Sequence, residues 1–322
     1  ALNYTVRKPL GVVGVICPWN LPLLLLTWKI APALATGNAV IIKPSEHTPT
    51  SATLLAQVVA GIDAPAGIVS VLHGTGPMSV GEMIAAHPGI DAVTFTGSSA
   101  TGAKIMEAAS KSVKPLSFEL GGKNAAIVFS DADIDAAVQG VVRSVFSNSG
   151  QICLCTERVY VEQDIFDSFI SKLTEAVRAL SFEESSGKSL TLGPLISRDQ
   201  RDKVLRYCDL AIKEGATAII GGAVPHFGDE RDDGFYVQPS VFTGLPQNSR
   251  FVREEIFGPV CHIEKFTTEE AVIVANNDSS FGLAASIWTN DINVAHRVAP
   301  QLSVGMVWIN DWFRRDLRAP FG

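Results

Sequence analysis

Cys153 sits in a short polar turn, with Gly150 and Gln151 before it and the β-rich run Arg158-Val159-Tyr160-Val161 after it. A reactive thiol needs such a setting: backbone that bends sharply, room for a substrate, and N–H groups that favour the thiolate. Cysteine is also a common small core residue, so Cys153 alone leaves both readings open. Glu119 stands at the end of an apolar run beside the flexible Gly121-Gly122. In a semi-apolar cleft its pKa would rise and suit it to take a proton from water, although a single carboxylate is more often structural. Asn20 is either a helix N-cap or an amide donor to an oxyanion.

A second group of residues could hold a nucleotide. Lys43-Pro44-Ser45-Glu46 follows a strand, where doubly wound sheets bind ligands. Lys43 could hold ribose or phosphate oxygens and Glu46 ribose hydroxyls, an acid there favouring NAD over NADP; a surface ion pair is the alternative. In Phe95-Thr96-Gly97-Ser98 a Gly/Ser turn opens a helix, a place for pyrophosphate or a plain βα turn. Glu254-Glu255-Ile256-Phe257-Gly258-Pro259 pairs an acid with an aromatic: Glu255 for ribose hydroxyls with Phe257 packed beside them, or Phe257 as a simple loop anchor.

To position these groups the chain must supply strand ends, and it does. Residues 11–17, 39–42, 68–72, 92–95 and 116–120 read as strands, alternating with helices from 21, at 51–60, 80–86 and 103–110. The expected fold class is α/β: a doubly wound, mostly parallel, Rossmann-like sheet, then a second α/β domain. Pro32 is expected to kink or end the first helix, with Gly37 as its stop. The second half carries strands at 125–129, 158–161, 218–220, 237–242, 261–266, 284–288 and 306–309, and helices at 133–145, 165–180, 199–213 and 269–275. We place the boundary at residue 121, giving domains 1–121 and 122–322.

At 322 residues the chain can bury a large core. Its net charge of −7 and lack of a basic run argue against nucleic acid, and no apolar run approaches bilayer length. Five scattered cysteines suggest a reducing, cytoplasmic setting without a disulfide framework, and six scattered histidines offer no metal site.

Taken in order, PWN (18–20), KPSE (43–46), FTGS (95–98), FELGGKN (118–124), GQxC (150–153) and EEIFGPV (254–260) resemble the aldehyde dehydrogenase superfamily. LPLLLLTWKIAPALATGN, GQICLC and the closing WFRRDLRAPFG are most similar to its 2-hydroxymuconic and 2-aminomuconic semialdehyde dehydrogenase group. The resemblance implies NAD-dependent oxidation of an aldehyde, with Cys153 as nucleophile, Glu119 activating water, and Asn20 stabilising the oxyanion. It implies NAD contacts from Trp19, Lys43, Glu46, Gly97, Ser98, Glu255 and Phe257, and a homo-oligomer, dimer or tetramer, at full length. It further implies that segments precede Ala1 and follow Gly322. Arg318, or second Arg315, is expected to pair with a substrate carboxylate; an ion pair of Arg318 with Asp316 is the alternative. Cys155 is left without a role. Rival readings are a CoA-acylating enzyme, against which Glu119 argues, a general aldehyde dehydrogenase, and a non-catalytic relative.

Overall fold

Runs such as Val12-Val13-Gly14-Val15-Ile16 are apolar on both faces, and strands of this kind are stable only where helices cover both sides. The computed structural model describes residues 1–76, 78–182, 190–316 and 318–321; Leu317 and Gly322 of the closing motif lie outside the described residues. The chain divides into two units, Ala1–Leu120 and Gly121–Gly322.

The first unit runs β1 (Val12–Ile16), α1 (Pro22–Ala35), β2 (Ala39–Lys43), α2 (Thr50–Ala60), β3 (Val69–Val71), α3 (Val80–Ala86), β4 (Ala92–Thr96), α4 (Ser99–Ser110) and β5 (Leu116–Glu119). Its strands form a parallel sheet in the order β3-β2-β1-β4-β5. Leu26, Ile30 and Ala52 of α1 and α2 pack on Val13, Val15, Val40 and Ile42. Ile84, Ala85 and Ile105 of α3 and α4 pack on the opposite face against Ile16, Val93 and Phe95. The unit is therefore doubly wound.

Three local features depart from expectation. The α1 cap is Leu21, with no side-chain cap bond, so Asn20 precedes the helix and does not cap it. Pro32 lies inside α1, which continues to Ala35; its missing N–H costs the helix one i→i−4 bond without ending it. Finally, α4 starts at Ser99 because Ser98 caps it, Ser98 Oγ accepting from Thr101 N at 3.2 Å.

The second unit runs β6 (Asn124–Val128), α5 (Ile134–Phe146), β7 (Thr156–Glu162), α6 (Phe166–Arg178), α7 (Arg198–Lys213), β8 (Thr217–Ile220), β9 (Ser240–Thr243), α8 (Arg250–Arg253), β10 (Val260–Phe266), α9 (Glu269–Asn277), β11 (Ala284–Trp288), α10 (Ile292–Val298) and β12 (Met306–Ile309). The sheet order is β12-β11-β6-β7-β10-β9-β8, parallel except for β8, which runs antiparallel to β9. The strand expected at 237–242 begins only at Ser240, after Pro239, which has no N–H for a ladder. The short α8 and α10 carry too few turns for periodicity to reveal them.

Asp133 caps α5, and Val138, Val141, Val145 and Phe146 along one face are buried against the sheet. Each such side chain contributes about 1.5–3 kcal/mol on full burial. Gly140 is required there, because a Cβ would collide with the Trp288 ring. Anchored this firmly, α5 delivers the chain into the turn that holds Cys153.

Candidate active site

In the first unit the strand register gathers the expected residues at one sheet edge. Ile16 pairs with Lys43 and Phe95, and Thr96 with Glu119, so the segments holding Trp19, Asn20, Lys43, Glu46, Gly97 and Ser98 all leave the same end as Glu119. The order reverses at β1, so this edge includes the crevice in which doubly wound sheets take ligands. Lys43 Nζ lies 3.0 Å from Glu46 Oε2. Burial works to raise the Glu46 carboxyl, but its own backbone N–H and Lys43 outweigh it and leave its pKa below the ordinary value. Beside this pair opens a recess of about 430 Å³ with Glu46, Pro49, Leu54 and His73 in its walls. Gly97 sits directly over the Phe95 ring, where a Cβ would come within 2.5 Å of Cζ.

Glu119 is half-buried, and burial raises its pKa, with the Lys29 charge partly offsetting this. Lys29 escaped sequence reasoning. It projects from the apolar α1, its Nζ donates to Thr94 Oγ1 at 3.2 Å, and burial lowers its own pKa against the opposing charges of Cys17 and Glu119. A lone lysine in the run Leu23-Leu24-Leu25-Leu26-Thr27-Trp28-Lys29 was the available signal, since lysine is rarely buried without a partner.

In the second unit, Asn148, Ser149 and Gly150 turn the chain through three successive left-handed residues, with φ of 50°, 53° and 74°. Non-glycine residues there are strained and need external support. Ser149 Oγ donates to Gly193 O at 2.7 Å, and Gln151 Oε1 accepts from Ile196 N at 3.0 Å. The buried Asn124 amide donates to Cys153 O at 2.7 Å and to Cys155 O at 2.9 Å, while its Oδ1 accepts from Ala284 N at 3.1 Å. Cys153 is the one partly exposed cysteine; Cys17, Cys155, Cys208 and Cys261 are buried. Burial pushes Cys17, Cys208 and Cys261 up to about 12, and drives Cys155 upward as well, so these four stay thiols.

The loop after α8 packs directly on this turn: a Cβ on Gly150 would strike the Gly258 carbonyl and come within 2.7 Å of Pro259 N. Glu255 Oε1 accepts from Gly122 N at 3.0 Å, and burial, with the Glu157 charge adding, raises its pKa to about 7. Phe257 holds φ 62°. Glu157 and Lys123, neither assigned a role from sequence, form an ion pair beneath this loop, both almost fully buried.

The closing segment also reaches the Cys153 turn. The Trp312 indole N–H donates to Leu154 O at 2.9 Å, and Arg143 donates to Trp312 O at 2.6 Å. The Trp312 and Phe313 rings stack, and the Arg315 guanidinium lies 4.0 Å from the Phe313 centroid. Arg315 is partly buried, which lowers its pKa, and the charge of Cys153 acts on it in the opposite sense. Arg318, by contrast, is exposed and bonds both Asp316 oxygens at 2.9 and 2.7 Å. The surface pairing weighed as the alternative is thus the arrangement Arg318 adopts.

A thiol on a pinned left-handed turn, supported by parallel α/β architecture, marks a class, and residues 1–322 match the aldehyde dehydrogenase family throughout. The chain belongs to that family. Among its relatives it is 58% identical over all 322 residues to the 2-aminomuconic 6-semialdehyde dehydrogenase of Pseudomonas sp. It is 52% identical over its full length to the 2-hydroxymuconic semialdehyde dehydrogenase of Pseudomonas sp. (strain CF600). The chain spans 66% of the length of each of these relatives. Betaine aldehyde dehydrogenase from Staphylococcus aureus, solved in complex with NAD+, superposes with a TM-score of 0.93 at 40% identity, covering 98% of this chain and 62% of that one. Among the described residues no helix is long and apolar enough to cross a membrane, and no group of metal-ligating side chains is placed to hold an ion.

Proposed function

We propose that the full-length protein oxidises a carboxylate-bearing semialdehyde, of the 2-hydroxymuconic or 2-aminomuconic kind, to the diacid with NAD. The observation that carries this reading is Cys153: the single cysteine left accessible, on a turn fixed by Asn124, with the Arg315 cation in electrostatic range. The sulfur attacks the aldehyde carbon and forms a thiohemiacetal. Its oxyanion is assigned to the Asn20 amide and the Cys153 backbone N–H. Bound NAD supplies the hydride acceptor, so that a thioester remains on Cys153. Glu119 takes a proton from water, the water oxygen attacks the thioester carbon, and the C–S bond breaks to release the acid.

The residues fit the cofactor. Apolar walls at Pro49 and Leu54 suit a base, while Lys43 and Glu46 at the same recess suit ribose. Ser98 at the α4 N-terminus suits the pyrophosphate, with Gly97 leaving the backbone open and Trp19 on the neighbouring segment. Glu255 and Phe257 are assigned to the nicotinamide ribose. For the substrate carboxylate Arg315 replaces Arg318 as first choice, because Arg315 faces Cys153 electrostatically whereas Arg318 is committed to Asp316. A homo-oligomer in the cytoplasm completes the proposal, the first drawn from the family the chain belongs to and the second from its scattered cysteines.

The test is NADH formation by full-length protein and its Cys153→Ala variant, with 2-hydroxymuconic semialdehyde beside a simple aliphatic aldehyde. Turnover of the first substrate, abolished in the variant, is the expected result. Turnover of the aliphatic aldehyde alone would remove the acidic substrate, and NAD binding without turnover would remove the enzyme.

A further inference from the structure

Glu157 stands where a carboxylate is costly. It lies at the start of β7, two residues beyond Cys155, and is 3% exposed. A buried charge of this kind persists only when its oxygens are answered. One partner is Lys123, 2% exposed, whose ammonium donates to Glu157 Oε2. The others are backbone: Ile256 N at 3.0 and 3.1 Å from the two oxygens, and Phe257 N at 2.8 Å from Oε1. These N–H groups belong to the two loop residues that follow Glu255 and include Phe257 with its left-handed φ of 62°.

Both members of the pair are wired further. Lys123 is followed by Asn124, which holds the carbonyls of Cys153 and Cys155, and preceded by Gly122, whose N–H holds Glu255. Arg158 fixes the Lys123 carbonyl at 2.7 Å while its guanidinium is itself answered by the Ala275 and Asn276 carbonyls at 3.0 Å, at the end of α9. The strand after the nucleophile and the turn after Glu119 thus converge on one buried ion pair, and that pair grips the strained loop from below.

We propose that Glu157, seated by Lys123, is a positioning residue that sets the 255–257 backbone, and through it Glu255 and Phe257, for the cofactor; this rests on the function proposed above. A merely structural ion pair would stabilise the unit as a whole. A positioning pair would control one loop.

The experiment uses full-length Glu157→Gln, which keeps an acceptor oxygen but loses the charge, alongside Glu157→Asp, which keeps the charge on a shorter arm. Amide exchange and iodoacetamide alkylation of Cys153 are read without cofactor, and NAD affinity by titration. In the Gln variant exchange at Ile256 and Phe257 should quicken about tenfold, equivalent to about 1.4 kcal/mol, with β10 and β7 amides unchanged. NAD affinity should weaken by a similar factor with Cys153 alkylation within about twofold, and the Asp variant should recover part of the affinity. Unchanged exchange at the two amides, or an equal rise across β7 and β10, would overturn the proposal. So would normal NAD affinity despite a loosened loop. If the wild-type protein binds no NAD, the functional reading fails, and with it the cofactor half of this proposal, while exchange still reports whether Glu157 holds the loop.

Discussion

Replacing Gly150 by alanine tests the Cys153 turn, and the nucleophile proposed on it, most directly. Two costs arise together. Gly150 has φ 74°, where an L-residue pays about 1–2 kcal/mol. The new methyl also meets backbone, which cannot rotate away: Pro259 N would stand at 2.7 Å, against an ordinary contact of 3.4 Å or more, and the Gly258 carbonyl would be closer still. Relief of the Pro259 contact alone moves the two loops apart by about 0.7 Å, and relief of the Gly258 oxygen, which would stand at 1.9 Å, takes the shift to about 1.5 Å, so Cys153 is displaced by about 1 Å or more. Overpacking adds about 1–3 kcal/mol, for a total loss of about 2–5 kcal/mol. A reacting atom misplaced by about 1 Å forfeits roughly 10²-fold in rate. Steady-state NADH formation measures the rate, with thermal unfolding and circular dichroism reporting the stability and the fold. A folded Gly150→Ala enzyme with kcat within about twofold of wild type would refute the claim that this contact places Cys153.

Further outcomes follow from the same geometry. Arg315→Ala should raise KM for an acidic semialdehyde about 10–100-fold, the loss of one charge-assisted pair, while sparing a neutral aldehyde; Arg318→Ala should change neither, and the reverse pattern would restore Arg318. Glu119→Gln should still release a burst of NADH on acylation yet lose steady turnover, and a missing burst would count against its assignment to water activation. Because burial raises the Glu119 pKa and only the ionised form takes a proton, deacylation should fail as pH falls through a value above the ordinary carboxylate range. Lys29→Met removes the charge that partly holds this pKa down, so the acid limb should move to higher pH; a limb that stays put would uncouple Lys29 from Glu119.

The sheet-forming runs were legible because strands buried on both faces are written as continuous apolar segments, and the expected site residues of the first unit sit at or just beyond the ends of β1, β2, β4 and β5. Asn20 was legible as a polar residue before a helix, but its exclusion from the cap depends on where the Pro22 turn begins. Choosing between Arg315 and Arg318 needs to know that Phe313 folds under the first and Asp316 bonds the second, and both facts arise from tertiary packing. Glu157 and Lys123 were hidden for the same reason: they answer each other across 34 residues, and the other partners of Glu157 are the backbone N–H groups of Ile256 and Phe257, 99 and 100 residues away, which leave no mark on side-chain patterns.

On the proposed function, the Trp312 anchor would make substrate choice and nucleophile placement parts of one mechanical assembly with separable faces. Its indole grips the carbonyl beside Cys153, and the Phe313 ring stacked on it backs that grip, while the side chains of Arg314 and Asp316 point outward and can be exchanged without touching the bond. A segment tethered in this way is a natural point for diversification: new aldehydes can be recruited by rewriting a few exposed positions while the chemistry beneath is inherited intact.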